Sequence, residues 1–173
     1  MKKILVIGGN GSGKTTFAKV LSEELNIPLV HIDKIARTDN WQRVSEDIFD
    51  DILNEEIRKE SWIIDGNDTR TLPNRLKHCD TVFYFDFSTI ACLNGVIKRT
   101  IQNYGQHRDD VGGENNIEKF DISKLYFFKA ILNFNKNNRK RYYDLLNSYP
   151  DVNVIVFKNR KQVNDYLKSR EYI

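Results

Sequence analysis

Near its beginning the chain reads Gly8-Gly9-Asn10-Gly11-Ser12-Gly13-Lys14-Thr15, a full match to the pattern G-x-x-x-x-G-K-[ST]. Glycines in this pattern let consecutive backbone N–H groups curl around an anion without a side chain in the way. A helix that starts directly after them points its N-terminal dipole at the same anion. The motif therefore predicts a phosphate-binding loop for ATP, formed by these eight residues and Thr16.

Lys14 and Thr15 have separate roles in such a loop. The lysine places a positive charge at the β and γ phosphates, and the threonine hydroxyl ligates Mg²⁺. We therefore expect ATP and Mg²⁺ as cofactors, a catalytic Lys14 and a metal-binding Thr15. A dinucleotide-binding fold is the alternative, because Asp33 lies 20 residues after Gly13. No G-x-G-x-x-[GA] frame fits residues 8–13, however, and Lys14-Thr15 has no role in that fold.

Short apolar runs alternate with helical patterns along the chain, which predicts an α/β fold with a parallel sheet. Residues 3–7 are almost entirely apolar, as expected of a central strand that is covered on both faces. Further strands are predicted at 28–33, 62–65, 81–86 and 152–157. Helices are predicted after the phosphate loop, from Ser45, from Ser88, from about 122 to 146, and from Asn159. Residues 103–119, with several Gly, Asn and Asp, are predicted to form a mobile loop.

Length and composition favour one soluble domain, residues 1–173. The net charge of +3 is too small to indicate a nucleic-acid partner. The two cysteines, Cys79 and Cys92, lack C-x-x-C spacing, so neither a disulfide framework nor a zinc site is expected. The first apolar run is too short for a signal peptide, and no stretch reaches the ~18 apolar residues of a membrane span. We expect a cytoplasmic protein that does not bind membranes.

Two aspartates are predicted at the carboxyl ends of strands, where α/β proteins bind ligands. Asp65 ends the third strand and is expected to bind Mg²⁺; the alternative is a turn residue before Gly66. Asp33 ends the second strand and is expected either to orient an acceptor hydroxyl or to act as a base; the alternative is a helix cap. Arg37 and Trp41 follow in a loop that would cover the acceptor, where Trp41 either stacks on a base or pins the loop.

Two family resemblances add to these motifs. Residues 63–71 resemble the D-G-F-P-R-T segment of adenylate kinases, in which the arginine binds the acceptor phosphate, and one extra residue in the alignment brings Arg70 to that position. The chain resembles the FlaR-related topology modulation proteins more closely. The matching blocks are the phosphate loop, His31-Ile32-Asp33-Lys34, Trp62-Ile63-Ile64-Asp65-Gly66-Asn67, Arg99, Arg108 with Asp110 and Gly112, and Asn133-Phe134 followed by Arg139.

The topology modulation group consists of P-loop proteins similar to adenylate and cytidylate kinases, and the resemblance covers about residues 1–146. It implies a three-layer P-loop kinase sandwich, with a five-stranded parallel sheet in the order 2-3-1-4-5, helices on both faces and a short lid at about 103–120. The implied activity is transfer of the γ-phosphate of ATP to a small acceptor, in the first place a nucleoside monophosphate. The chain departs from the group at Asn135 and Lys140, where prolines are expected, and this affects the local path that aims Arg139.

Three arginines flank the predicted lid. Arg99 ends a helix, Arg108 lies in the loop and Arg139 lies beyond it. Because phosphoryl transfer depends on positioning and charge stabilisation, a closing lid would bring them onto the β and γ phosphates and exclude water. We therefore predict catalytic roles for all three. Base recognition is predicted at Asn159 or Arg160, since related kinases place their adenine-binding loop after the last strand.

Two other function classes compete with a small-molecule kinase. A nucleotide-binding regulator of DNA topology is suggested by the name of the resembled group and by the basic cluster at 136–141, but no nucleic-acid-binding signature is present. A signalling GTPase is disfavoured because residues 135–138 lack the aspartate of the N-K-x-D motif. The leading hypothesis is an ATP-dependent kinase of a small acceptor.

Overall fold

The computed structural model describes residues 1–119 and 122–170, without the side chains of residues 122–124. Residues 120 and 121, at the end of the predicted lid, and residues 171–173, at the end of the predicted domain, lie outside the described residues. The strands are β1 (Lys3–Gly8), β2 (Leu29–His31), β3 (Trp62–Asp65), β4 (Thr81–Phe85) and β5 (Asn153–Phe157). The helices are α1 (Lys14–Leu25), α2 (Ile32–Ala36), α3 (Glu46–Arg58), α4 (Leu72–His78), α5 (Thr89–Gln102), α6 (Ile122–Asn147) and α7 (Arg160–Arg170).

The five strands form one parallel sheet in the order β2-β3-β1-β4-β5, which confirms the predicted fold class. β1 lies at the centre, and its residues Ile4 to Ile7 are fully buried, as its apolar sequence predicts. In the register of the sheet, Val6 is paired with Asp65, and Asp65 is paired with His31. The carboxyl ends of β1, β3 and β2 therefore meet at one edge.

Each face of the sheet carries a hydrophobic core. One core contains Phe17 of α1, Val96 of α5 and Val163 of α7. The other contains Leu53 of α3 and Leu76 of α4. The long helix α6 contributes to both, with Ile131 in the first core and Tyr142 in the second. The result is the three-layer arrangement that the family resemblance implies.

Side-chain caps start three helices where the sequence places them. The Ser45 and Ser88 hydroxyls accept hydrogen bonds from Ile48 N at 3.4 Å and Ala91 N at 3.3 Å. The side chain of Asn159 accepts one from Gln162 N at 3.0 Å. Such bonds satisfy N–H groups that have no partner inside the helix. The predicted helix starts are therefore confirmed.

Two local predictions are wrong. The second strand ends at His31, and α2 begins at Ile32, so Asp33 lies in the first turn of a helix rather than at the end of a strand. The helix α4 is not predicted either, because its 7 residues are too few for a clear helical period. Its buried Arg75 further interrupts the apolar pattern, since charged residues are rarely buried.

The segment 103–119 folds back on itself by pairing its two ends. His107 and Ile117 form an antiparallel bridge, Gly105 N donates to Glu118 O at 2.9 Å, and Glu118 N donates to Gln106 O at 3.0 Å. Val111 is 3% exposed and Asn116 is fully buried. The predicted loop is thus a folded segment with buried residues. Among the described residues, no helix combines the length and apolar character needed to cross a bilayer.

Candidate active site

The phosphate loop joins β1 to α1 in the conformation that its glycines require. Gly8, Gly11 and Gly13 have φ values of 135°, 82° and 97°, which favour glycine over residues with a Cβ. A Cβ on Gly8 would lie 2.3 Å from the carbonyl oxygen of Phe85, and one on Gly11 would lie 2.2 Å from that of Cys92. Both positions therefore exclude side chains, and the loop has the form that an anion-binding nest needs.

Lys14 folds back over this loop. Its Nζ donates to Gly9 O at 2.9 Å, and the Ser12 hydroxyl donates to the same oxygen at 2.7 Å. Burial lowers the pKa of the Lys14 ammonium, and the nearby Asp65 carboxylate partly offsets this shift. The site thus holds a desolvated positive charge on the loop, where a phosphate would meet little competition from water.

Asp65 at the end of β3 faces Thr15 at the start of α1. Its Oδ2 accepts a hydrogen bond from the Thr15 hydroxyl at 2.7 Å and lies 3.3 Å from His31 Nδ1. Its Oδ1 is buried and has no hydrogen-bond partner in the part of the chain that the structure describes. A buried carboxylate oxygen next to a threonine hydroxyl is the oxygen donor set that Mg²⁺ prefers. The residues therefore fit the predicted metal pair.

The loop after β3 is positioned by two residues that have no role in the predicted site. Asn67 makes reciprocal hydrogen bonds with the backbone of Gly8: its Oδ1 accepts from Gly8 N at 3.0 Å, and its Nδ2 donates to Gly8 O. Arg75, which is fully buried, donates to Gly66 O at 3.0 Å and to Asp68 O at 2.6 Å. Asn67 is the last residue of a block that resembles the topology modulation group, whereas nothing in the sequence pattern identifies Arg75.

A cavity of about 570 Å³ opens beside the phosphate loop. Its cationic lining consists of Lys14, Lys19, Lys98, Arg99, Arg108 and Arg160, and its acidic lining of Asp33, Asp65, Asp109 and Asp110. The loop residues Asn10 to Thr16 and the side chain of His31 also line it. The cavity therefore brings together most of the predicted site, with an excess of positive charge suited to a polyphosphate.

Arg99 and Arg108 line this cavity but differ in how their charges are matched. Arg99 Nε is buried without a hydrogen-bond partner among the described residues, and burial together with Arg108 lowers the pKa of Arg99. Arg108 donates to Asp110 at 2.9 and 2.5 Å. Burial alone would lower the pKa of Arg108, but Asp110 raises it above its usual range. Arg99 is thus the less neutralised of the two.

The predicted acceptor residues are connected to one another. The side chain of Asp33 is more than half exposed, lines the cavity and lies 3.9 Å from the guanidinium of Arg37. Arg37 in turn donates to Trp41 O at 2.8 Å. Trp41 has a φ of 60° and is 37% exposed. Arg37 and Trp41 do not line the cavity themselves and are connected to it by way of Asp33.

Two predicted arginines lie away from the cavity. Arg139 is ion-paired with the buried Asp86 at 2.8 Å, where Lys158 and the Tyr143 hydroxyl also donate to the same carboxylate oxygen. Arg70 forms a bidentate ion pair with Asp50, in which Nη1 donates to Oδ2 at 2.8 Å and Nη2 donates to Oδ1 at 2.6 Å. Neither arginine is among the cavity-lining residues.

Of the two predicted base-recognition residues, only Arg160 lines the cavity. The side chain of Asn159 is engaged in capping α7, as described above. Within the phosphate loop, Gly8 and Gly9 do not line the cavity, and Gly8 is hydrogen-bonded to Asn67. The structure thus separates the predicted residues into a group around the cavity and a group that supports the surrounding fold.

Comparisons with known proteins match parts of this architecture. Residues 4–80, less than half of the chain, match the model of the ATPase family associated with various cellular activities (AAA). A segment of 50 residues is 42% identical to a shikimate kinase of Sulfurihydrogenibium sp., and this match covers 29% of the chain and 30% of that protein. The match therefore spans less than a third of the length of the curated relative.

Solved structures match the chain over nearly its whole length. A shikimate kinase from Bacteroides thetaiotaomicron has a TM-score of 0.54 and 14% sequence identity, covering 98% of this chain and 95% of that one. A shikimate kinase from Aquifex aeolicus has a TM-score of 0.48 and 17% identity, covering 97% and 95%. The first of these likenesses shows that the chain has the P-loop kinase fold.

Proposed function

We propose that this protein transfers the γ-phosphate of ATP to a small-molecule acceptor. The observation that carries the proposal is the meeting of three groups at one cavity: the phosphate loop with Lys14, the Thr15–Asp65 pair, and the cation Arg99. Phosphoryl transfer needs positioning and charge stabilisation more than covalent chemistry, and this arrangement offers both. The partial match to a shikimate kinase supports the same reaction class.

ATP would bind with its phosphates on the loop of residues 8–16 and its base near Arg160. Lys14 would hold the β and γ phosphates through its buried charge. Thr15 and Asp65 would hold Mg²⁺, which when bound neutralises phosphate charge. The loop itself fixes the direction of the phosphates, because its backbone N–H groups are held by the conformations of its glycines.

The residues that act on the transferred group come from the cavity wall. Arg99 would stabilise charge on the γ-phosphate, because it lines the cavity and its buried Nε has no hydrogen-bond partner among the described residues. Arg108 would add a second positive charge at the γ-phosphate once its hydrogen bonds to Asp110 are broken. Asp33 would orient an acceptor hydroxyl or take its proton. Arg139, the third predicted catalytic arginine, would need to leave the Asp86 ion pair to contribute.

The acceptor that we propose first is a nucleoside monophosphate, as the adenylate kinase-like segment implies. Its phosphate would be bound by Arg70, which requires release of that arginine from Asp50. An uncharged acceptor hydroxyl would need only Asp33 and no second anion site. The acceptor panel for testing the function therefore includes both chemical classes.

The function is tested by ADP release from Mg-ATP in the presence of single acceptors. The panel comprises nucleoside monophosphates and their deoxy forms, shikimate, gluconate, and buffer alone, with Lys14→Ala as the matched control. We expect ADP release that depends on one acceptor class and is lost in the variant. Release that is equal with and without acceptor, or none with any member of the panel, would contradict the proposal and favour a nucleotide-binding regulator.

A further inference from the structure

Two predicted parts of the site are bound to each other. The acceptor loop (residues 37–41) and the lid segment (residues 103–119) are far apart in sequence, yet the side chain of Asn116 is hydrogen-bonded to the backbones of both. Its Oδ1 accepts from Trp41 N at 2.6 Å, and its Nδ2 donates to Thr38 O at 2.9 Å and to Gly112 O. Asn116 is fully buried. A buried amide with all of these partners is a strong geometric constraint.

Other contacts join the same two segments. Asp39 Oδ1 accepts from Glu114 N at 2.5 Å and from Asn115 N at 3.1 Å. Gly112 packs so closely against the acceptor loop that a Cβ there would lie 2.1 Å from Arg37 O. The contacts between the two segments are therefore distributed along both of them, and the side chain of Asn116 is the buried one among them.

The acceptor loop is held in a conformation that it would not adopt alone. Asn40 and Trp41 have φ values of 55° and 60°, in the left-handed region that residues with a Cβ rarely occupy. Two consecutive residues in this region persist only where surrounding contacts impose it. Here the hydrogen bond from Trp41 N to Asn116 supplies such a contact.

The lid segment also reaches the nucleotide side of the cavity. It carries Arg108 and Asp110, which line the cavity, and Asp109, which is 2.6 Å from Lys19 of α1. A displacement of Arg108 toward bound phosphate would therefore move a segment whose opposite side is hydrogen-bonded to Trp41.

We propose that Asn116 is a positioning residue that makes the lid segment and the acceptor loop move as one unit, so that nucleotide binding sets the position of Trp41. This inference rests on the proposed function, because it requires nucleotide in the cavity. It predicts a reciprocal effect: an acceptor that contacts the acceptor loop favours the lid position that nucleotide also favours.

The test uses tryptophan fluorescence of the full chain with Mg²⁺ and the β,γ-imido analogue of ATP, which does not transfer its phosphate. Wild-type protein is expected to show a saturable change in emission, and Trp41→Phe to lose it, which assigns the change to Trp41. Asn116→Ala is expected to lose most of the change while calorimetry still detects binding of the analogue. Asp39→Ala changes an exposed residue and leaves the buried side chain of Asn116 in place, so this variant is expected to lose part of the emission change. Asn115→Ala is the matched control, since Asn115 is exposed and donates to Asp39 through its backbone.

Steady-state kinetics provide a second readout that loss of stability alone would not produce. Asn116→Ala is expected to raise the acceptor KM by about tenfold, with a much smaller change in the KM for ATP, since coupling of this kind is typically 5–150-fold. A full emission change in both Asn116→Ala and Asp39→Ala would overturn the proposal, as would no change in wild-type protein that binds the analogue. Absence of calorimetric binding to wild-type protein would instead overturn the proposed function, and the coupling with it.

Discussion

Substitution of Asn67 by alanine is expected to loosen the phosphate loop, because Asn67 joins that loop to the segment after β3. The change removes two hydrogen bonds to the backbone of Gly8, one of them 3.0 Å long. A polar group left without a partner costs about 1–3 kcal/mol when buried. Because Asn67 is half-buried, we take about 1 kcal/mol, the lower end of this range, for each of the Gly8 N–H and C=O groups. The free energy of unfolding is then expected to fall by about 2 kcal/mol.

This loss is measurable in two independent ways. For a chain of this size, about 2 kcal/mol corresponds to a decrease in Tm of about 4–8 °C. If most of the effect is local to the loop, affinity for Mg-ATP falls about tenfold, the equivalent of 1.4 kcal/mol. Thermal unfolding and calorimetric titration of the same preparations measure the two quantities.

Asn74→Ala is the matched control for this substitution. Asn74 is also half-buried, but its side chain donates to Asn54 at 3.1 Å, away from the phosphate loop. We expect it to lower the Tm by no more than half as much as Asn67→Ala and to leave nucleotide affinity unchanged. Equal effects of the two substitutions on nucleotide affinity would refute the role assigned to Asn67.

Three further predictions follow from the site and its surroundings. Lys14→Ala is expected to lower the rate of phosphoryl transfer by about 10²–10³-fold with little change in Tm, since it removes a charge that acts on the phosphates; steady-state kinetics and thermal unfolding check this. Arg99→Ala is expected to lower kcat by about 10²–10³-fold as well. Arg139→Ala is expected to leave kcat nearly unchanged and to lower stability, because Arg139 is paired with Asp86 away from the cavity. A larger loss of kcat in Arg139→Ala than in Arg99→Ala would show that Arg139 reaches the reacting phosphates. Burial works to raise the pKa of Asp86, but its hydrogen-bonded partners outweigh burial and hold the pKa below the usual 3.8. Its contribution to stability is therefore fully present above about pH 4 and is lost as the pH falls through the lowered value, so urea unfolding of Asp86→Asn between pH 5 and 2.5 is expected to show a weaker pH dependence than wild type.

The sequence alone predicted the α/β fold class because the signals involved are local or carried by motifs, whereas the order of the strands was implied by the family resemblance. The phosphate loop requires a strand before it and a helix after it, and the apolar run of residues 3–7 identifies the central strand. The caps at Ser45 and Ser88 act over three residues, a range that a sequence pattern reports well. The boundary at Asp33 was missed because α2 has only 5 residues and directly follows β2.

The parts of the site that depend on contacts between distant residues were beyond sequence analysis. Asn67 and Gly8 are 59 residues apart, and Trp41 and Asn116 are 75 residues apart. The partner of an arginine is equally hard to predict, because the sequence does not show whether its guanidinium binds a substrate or a neighbouring carboxylate. Arg99 lines the cavity, whereas Arg70 and Arg139 are paired with aspartates elsewhere. The catalytic roles of Arg99 and Arg108, the acceptor-phosphate role of Arg70, the link to DNA topology and the cytoplasmic location stay predictions. The comparison of Arg99→Ala with Arg139→Ala tests the catalytic role predicted for Arg139.

Phosphorus NMR of the reaction mixture separates transfer from every other fate of ATP. Purified protein, Mg-ATP and the acceptor that releases most ADP are followed until ATP is consumed, with Lys14→Ala in parallel. We expect the γ-phosphate signal to be replaced by a new phosphoester or phosphoanhydride resonance of the acceptor, in a one-to-one ratio with ADP, and no reaction in the variant. Inorganic phosphate as the only new signal, or unchanged ATP, would contradict the assignment of this chain as an ATP-dependent kinase of a small acceptor.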